Sequence, residues 1–137
     1  MRIDQNYLKK LLNVFLESSK YYTELSEFKK SGFDILDDAF LFHFKILEDQ
    51  MFVESCVENR RLGYQVSGDG QARWESNIIR LTAAGHDFAE SINKAEIFEI
   101  LSNEFKDASV STLSNVAKEL MRGFAQKQIK KYFDPNA

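Results

Sequence analysis

The sequence predicts a mostly helical α+β fold in which a β-hairpin interrupts a series of helices. Apolar residues recur at helical spacing in the first and last thirds of the chain. Between these regions lies the glycine-rich turn "SGDGQ", flanked by segments that alternate apolar and polar residues. The chain has 137 residues, 44% of them hydrophobic and only one a proline, so it can form one compact domain with a core.

The first two helices are predicted from their ends and their apolar faces. Asp4 is suited to cap a first helix over about residues 5–18, because its carboxylate can accept a hydrogen bond from the first turn. The core face of this helix repeats every three or four residues and comprises Tyr7, Leu8, Leu11, Leu12 and Phe15. A short second helix is expected next, with Thr23 as its cap and Gly32 as its stop.

A third helix and a strand are predicted to follow. The helix starts at a cap on Asp37 or Asp38 and runs to about Asp49. Its apolar residues cover more than one stripe, so we expect it to be packed from two sides. They are Phe40, Leu41, Phe42, Phe44, Ile46 and Leu47. The segment "MFVESCV" then alternates apolar and polar residues, which is typical of a strand.

The stretch "IIRLTAAGHDFAESI" predicts a strand that turns directly into a helix. Ile79 and Leu81 alternate with Arg80, so one face of the strand is buried and the other is wet. Thr82 is expected to end the strand and cap the helix. A helical glycine costs about 1 kcal/mol relative to alanine. Gly85 in the first turn therefore indicates that the helix lies close against neighbouring backbone.

Two more helices complete the predicted order. The first spans about residues 94–105, and the second is capped by Ser109 or Ser111 and continues to about Phe133. The apolar stripe of the last helix suits either packing on its own domain or contact with a partner, including a second copy of the chain. The residues expected at a partner or dimer contact are Leu113, Ala117, Leu120, Met121 and Phe124.

This order of elements, with "LTxxGxxF" after the hairpin, resembles the winged helix-turn-helix fold over residues 4–93. The resemblance implies a winged-helix core at 1–93 with the hairpin as its wing, and a C-terminal helical extension at 94–137 that packs on the core or forms a dimer. The segments "HFKILEDQMFVE", "LGYQVSGDGQARW" and "RLTAAGHDF" together are similar to the bacterial and prophage domain-of-unknown-function family 2513. That resemblance implies a small cytoplasmic protein of bacterial or phage origin and supplies no activity.

The winged-helix resemblance implies duplex DNA as a partner and a role as a transcriptional regulator. Such proteins place the third helix in the major groove. Here that helix carries four carboxylates and one lysine, and DNA phosphates repel an acidic helix. We therefore expect DNA contact mainly through the wing. The residues expected to make it are Arg60, Arg61, Tyr64, Gln71, Arg73 and Arg80.

The alternative hypothesis is a protein-interaction module that does not bind DNA. In it, the acidic third helix meets a basic surface on a host or phage partner. The net charge of -3 agrees with this alternative, because basic segments are confined to the hairpin region and the last helix.

We expect no catalytic site, no cofactor and no metal. The sequence lacks a GxSxG motif, a P-loop lysine and a dinucleotide-binding fingerprint. His43, His86 and Cys56 are not spaced as metal ligands, and His43 is expected to be a packed histidine with one hydrogen bond. A single cysteine and the lack of an apolar signal segment predict a cytoplasmic protein, and no apolar run is long enough to span a membrane.

Overall fold

The computed structural model describes residues 1–57, 64–74 and 78–133. Within these ranges the chain forms six helices and five short strands, which confirms the predicted mostly helical α+β class. The helices are α1 (Gln5–Glu17), α2 (Leu25–Lys30), α3 (Asp38–Asp49), α4 (Ala83–Ile92), α5 (Ala95–Glu104) and α6 (Val110–Phe133). The strands are β1 (Thr23–Glu24), β2 (Val53–Ser55), β3 (Tyr64–Val66), β4 (Ala72–Trp74) and β5 (Ile78–Leu81).

The strands form two small antiparallel sheets. In the first, β5 lies between β1 and β2, with Ile79 opposite both Thr23 and Ser55. In the second, β3 and β4 pair as a hairpin around the predicted turn, where the Gly70 N–H donates to the Ser67 carbonyl at 2.9 Å. The sheet that joins the helices is therefore built from strands that are far apart in the sequence.

Most of the predicted helix starts are confirmed. Side-chain oxygens cap the first turns of four helices: Asp4 for α1, Asp37 for α3, Thr82 for α4 and Ser109 for α6. The predicted cap at Thr23 is wrong. Thr23 belongs to β1, its backbone pairs with Ile79, and α2 begins after Glu24 without a side-chain cap. Pairing with a distant strand thus overrides the local capping preference of threonine.

One cluster of buried apolar residues takes side chains from all six helices. Its centre is aromatic: Phe28, Phe40 and Phe44 are completely or almost completely buried, and the ring centroids of Phe28 and Phe44 are 5.3 Å apart. The edge-to-face geometry of this pair adds to the burial of its area. The helices that precede the β3–β4 hairpin in the sequence and those that follow it therefore share one core.

Trp74 fixes the β3–β4 hairpin to this core. Its indole Nε1–H donates to the Ile35 carbonyl at 2.8 Å, and its ring packs edge-on against Phe40 and Phe44. The hairpin is consequently anchored beside α3 through one side chain of β4.

The start of α4 lies against the backbone that links α3 to β2. Thr82 donates from its N–H to the Phe52 carbonyl at 3.0 Å and from its hydroxyl to the Met51 carbonyl at 2.6 Å. A Cβ added at Gly85 would lie 2.7 Å from the Phe52 carbonyl carbon and closer still to its oxygen. The predicted close approach at Gly85 is confirmed, and its neighbour is the Phe52 backbone.

His43 is buried in α3 and makes two hydrogen bonds, where one was expected. Its Nε2 accepts from the Asp4 N–H at 3.0 Å, and its Nδ1 lies 2.6 Å from the Ala39 carbonyl, to which it must donate. This pattern requires the neutral ring with its proton on Nδ1. Burial lowers the pKa of His43, opposed by the hydrogen bond to Ala39 and by the charge of Asp4.

Alanine substitutions at two helical glycines should have opposite effects on stability. Gly85→Ala should lower the free energy of unfolding by about 1–3 kcal/mol, because the new methyl group meets fixed backbone. Gly123 lies in α6 with open space where a Cβ would be. Gly123→Ala should therefore raise the free energy of unfolding by about 1 kcal/mol. Urea titration of both variants measures the difference, and a stabilised Gly85→Ala variant would contradict the close approach.

The buried neutral histidine should also make stability depend on pH. Since the folded pKa of His43 lies below the unfolded value of 6.5, the unfolded chain binds the proton first. The contribution of His43 is complete above the unfolded pKa and is lost as pH falls from there towards the folded pKa. Chemical denaturation at several pH values should show this loss in the wild type and in His86→Gln, but not in His43→Gln.

Candidate functional site

The residues expected to contact nucleic acid are dispersed over different parts of the fold. Arg60 and Arg61 lie outside the described residues. Tyr64 is on β3, while Gln71 and Arg73 are exposed on the turn and on β4.

Arg80, the sixth of these residues, is on β5 in the other sheet. It stands opposite Glu54, and its Nε and Nη2 atoms lie 2.8 and 2.7 Å from the Glu54 carboxylate. A strand-to-strand ion pair thus compensates the charge of Arg80, which reduces what it can offer a phosphate.

The stripe expected at a dimer contact is instead part of the chain's own core. Leu113 and Ala117 are completely buried, and Leu120, Met121 and Phe124 pack partly buried against the same cluster. The Lys94 ammonium also lies over the Phe124 ring, 5.3 Å from its centroid. Of the two alternatives for α6, packing on its own domain is the one that the structure shows for this stripe. Leu113 and Ala117 are therefore not available to a partner.

The outer side of α3 combines acidic and apolar groups. Its single lysine, Lys45, is held by two carboxylates on the same helix, Glu48 at 3.0 Å and Asp49 at 3.8 Å. Asp38 is exposed at the start of the helix, and Leu41 and Phe42 are half-buried along it. The helix therefore presents apolar surface with an excess of negative charge.

A shallow groove lies where the end of α3, β2 and the start of α4 meet. Its volume is about 740 Å³, and we name it the α3–α4 groove. Its apolar lining is Met51, Val53, Ala83 and Ala84, and its charged residues are Lys45, Glu48 and Glu54. A second hollow of about 420 Å³ adjoins it at Ala84, and its charged residues are Asp87, Glu90 and Lys118.

Met51 is the unusual residue of this groove. Its φ is 60°, in the left-handed region, and its side chain is 76% exposed. The position closes α3, because the Phe52 N–H donates to the Leu47 carbonyl and the Met51 N–H to the Glu48 carbonyl, both at 2.9 Å. Glycine is the usual residue there, since a side chain in this conformation costs about 1–2 kcal/mol. An exposed methionine buries little apolar surface at this position to offset that cost.

A residue kept in a costly conformation is a reason to look for function at that position. The flexible thioether of methionine adapts to differently shaped apolar partners, which suits a binding surface. The sequence contains a signal for this feature: the predicted helix end at Asp49 is followed by methionine with no glycine nearby. The segment "MFVESCV" was predicted to be a strand, whereas β2 begins at Val53 and Met51 closes α3.

The described residues contain few groups suited to other chemistry. Among them, no group of three or more histidine, cysteine, aspartate or glutamate side chains could hold a metal ion. Burial raises the pKa of the Cys56 thiol, which disfavours the reactive thiolate. Within the same ranges, none of the helices has the length and apolar character needed to cross a membrane.

Comparison of the chain with protein-family models, with curated proteins and with solved structures found no match. The candidate site therefore depends on the geometry of the α3–α4 groove and the outer side of α3.

Replacing Met51 by glycine should stabilise the protein. Met51→Gly removes the left-handed strain and loses little burial, so the free energy of unfolding should rise by about 0.5–1 kcal/mol after the entropy of the unfolded glycine is allowed for. Met51→Ala keeps the strain and should show no such gain. Guanidinium titration of both variants tests this, and a loss of stability in Met51→Gly would show that the side chain supports the fold.

Proposed function

We propose that this chain is a winged-helix protein that serves as a protein-interaction module. In this proposal it binds a basic, partly apolar surface of a partner protein with α3 and the α3–α4 groove. The winged-helix assignment is supported by the order α1, β1, α2, α3, β2, hairpin, β5, and by a sheet in which the last strand lies between the first two.

The observation that carries the binding proposal is the exposed, strained Met51 in the α3–α4 groove. The carboxylates beside it are ion-paired, Glu48 with Lys45 and Glu54 with Arg80. An apolar anchor surrounded by charge is the usual composition of a protein-binding patch. The negative charge of α3 would favour a partner with lysine or arginine around an apolar centre.

The same charge argues against reading of duplex DNA by α3. Phosphate contacts depend on lysine and arginine that release counterions from the DNA. The lysine of α3 lies between two carboxylates, so this helix would meet the DNA backbone with net repulsion. In winged-helix proteins the third helix commonly enters the major groove of DNA. This is the part of the winged-helix analogy that fits the present chain least.

DNA contact through the wing is the second candidate, with a role as a regulator. It is favoured by the anchoring of the hairpin through Trp74, which holds the exposed Gln71 and Arg73 in place next to the body. In this candidate the wing contacts the phosphate backbone with little sequence preference.

A charge reversal in α3 separates the two candidates. Glu48→Lys should abolish stoichiometric capture of a partner from a lysate of the source cell, whereas Glu99→Lys on the exposed side of α5 should leave capture unchanged. Thermal melts establish that both variants are folded. In parallel, a fluorescence titration with duplex DNA at low and physiological salt measures wing binding. Two results together would favour DNA binding over the interaction module. The wild type would bind duplex DNA tightly and lose this binding on Arg73→Glu, and no protein would be captured stoichiometrically.

A further inference from the structure

The second hollow, which adjoins the α3–α4 groove at Ala84, lies between α4 and α6, and we name it the α4–α6 hollow. Its volume of about 420 Å³ is within the range of small-molecule sites. Its buried lining is mostly apolar: the rings of Phe52 and Phe88 have centroids 5.3 Å apart, and Met121 is half-buried beside them. Ser91, also buried, donates to the Phe88 carbonyl at 2.9 Å. The apolar part of a small ligand can therefore be desolvated here.

The two helices line this hollow with groups of different charge. Asp87 and Glu90 of α4 are separated by one helical turn, so their carboxylates lie on the same side of that helix. On α6, Ser114 and Asn115 are one turn before Lys118, which places a hydroxyl, an amide and an ammonium group together. The hollow therefore has an acidic wall on α4 and a wall with one positive charge on α6.

The opposite charges of the two walls are not paired with each other. Among the residues that the structure describes, Asp87 and Lys118 form no ion pair, either together or with another side chain, and both are exposed to water. Glu90 lies 3.7 Å from His86 Nε2, a pair that carries opposite charges only when His86 is protonated. A molecule that carries both charges in the reverse order can therefore lie between the walls and pair with each of them.

We propose that the α4–α6 hollow binds a small zwitterion, an α-amino acid with an apolar side chain. Such a molecule carries an ammonium group and a carboxylate at neutral pH. In the complex, its ammonium group lies at Asp87, its carboxylate lies at Lys118 and Asn115, and its side chain packs on the buried aromatic lining. The inference goes beyond the proposed protein interaction and does not depend on it, because neither Asp87 nor Lys118 lines the α3–α4 groove.

The charges of the lining favour a zwitterion over other small ligands. An anion such as phosphate would gain Lys118 but would be repelled by Asp87 and Glu90 on the opposite wall. An organic cation would gain the two carboxylates but would be repelled by Lys118. A zwitterion gains both contacts, and its apolar side chain matches the buried lining. A mainly apolar lining with a few polar groups that fix the orientation is the usual composition of a small-molecule site.

The proposal is tested by titrating the full chain with L-phenylalanine and following the backbone amide signals by NMR. The signals of residues 84–91 and 114–121 should shift and saturate together, because these segments line the hollow. Two probes keep the aromatic ring but lack one charge: 2-phenylethylamine has no carboxylate, and 3-phenylpropanoate has no ammonium group. Each should bind about fivefold more weakly than L-phenylalanine, the effect expected from loss of one solvent-exposed ion pair.

Two substitutions assign each charge of the ligand to its wall. Asp87→Asn should weaken binding of L-phenylalanine and 2-phenylethylamine about fivefold and should not weaken binding of 3-phenylpropanoate. Lys118→Gln should weaken binding of L-phenylalanine and 3-phenylpropanoate and should not weaken binding of 2-phenylethylamine. Glu99→Gln and Lys106→Gln make the same changes of net charge at exposed positions outside the hollow, so they should leave all three affinities unchanged. Thermal melts establish that each variant is folded.

Three results would overturn the proposal. The first is the lack of saturable shifts with L-phenylalanine at concentrations of tens of millimolar. The second is equal affinity of the wild type for all three probes, which would show that only the aromatic ring is bound. The third is binding of L-phenylalanine that neither Asp87→Asn nor Lys118→Gln weakens. If either variant is unfolded, the comparison of the three probes on the wild type decides. Each of these failures leaves the interaction module at the α3–α4 groove untouched.

Discussion

The contact between the first turn of α4 and the backbone after α3 is the constraint on which the rest of the structure depends. Thr82 uses its N–H, its hydroxyl hydrogen and its hydroxyl lone pairs together, bonding Phe52, Met51 and Gly85. Only a residue without a Cβ permits the approach at Gly85. The contact sets where β5 enters the sheet between β1 and β2. It also brings Ala83 and Ala84 beside Met51. The hydrogen bonds of Thr82 therefore both stabilise the fold and shape the α3–α4 groove.

The last helix, α6, packs on α4 and α5. The first part of α6 packs its stripe against the shared core, whose members from this helix include Leu113 and Ala117. Beyond Phe124 the helix has left the body, and its remaining turns are exposed. The first part of α6 thus belongs to the core and stabilises the domain, whereas its last nine residues are exposed.

The sequence was informative where structure is determined by neighbours along the chain. The caps at Asp4, Asp37 and Thr82 were predicted, because each involves residues of a single turn. The close approach at Gly85 was predicted because a glycine in a helix lowers its stability.

The sequence was uninformative where distant segments meet. Thr23 was misassigned because its strand partner is more than fifty residues away, and the pairing of Arg80 with Glu54 and the docking of Trp74 on Ile35 depend on the same folded arrangement. For α6, the stripe was visible, but its partner within the fold was not. The groove itself joins α3, β2 and α4, which no local pattern relates.

Trp74 is the only tryptophan of the chain, and it lies where the hairpin joins the body. Its indole is hydrogen-bonded to the Ile35 carbonyl and packs against two phenylalanine rings, so we expect its fluorescence emission to lie to the blue of that of an indole in water. The protein therefore contains a built-in optical probe at the base of the hairpin. Release of the hairpin would shift that emission to the red while far-ultraviolet circular dichroism still showed intact helices, so local opening of the hairpin can be distinguished from global unfolding without any label.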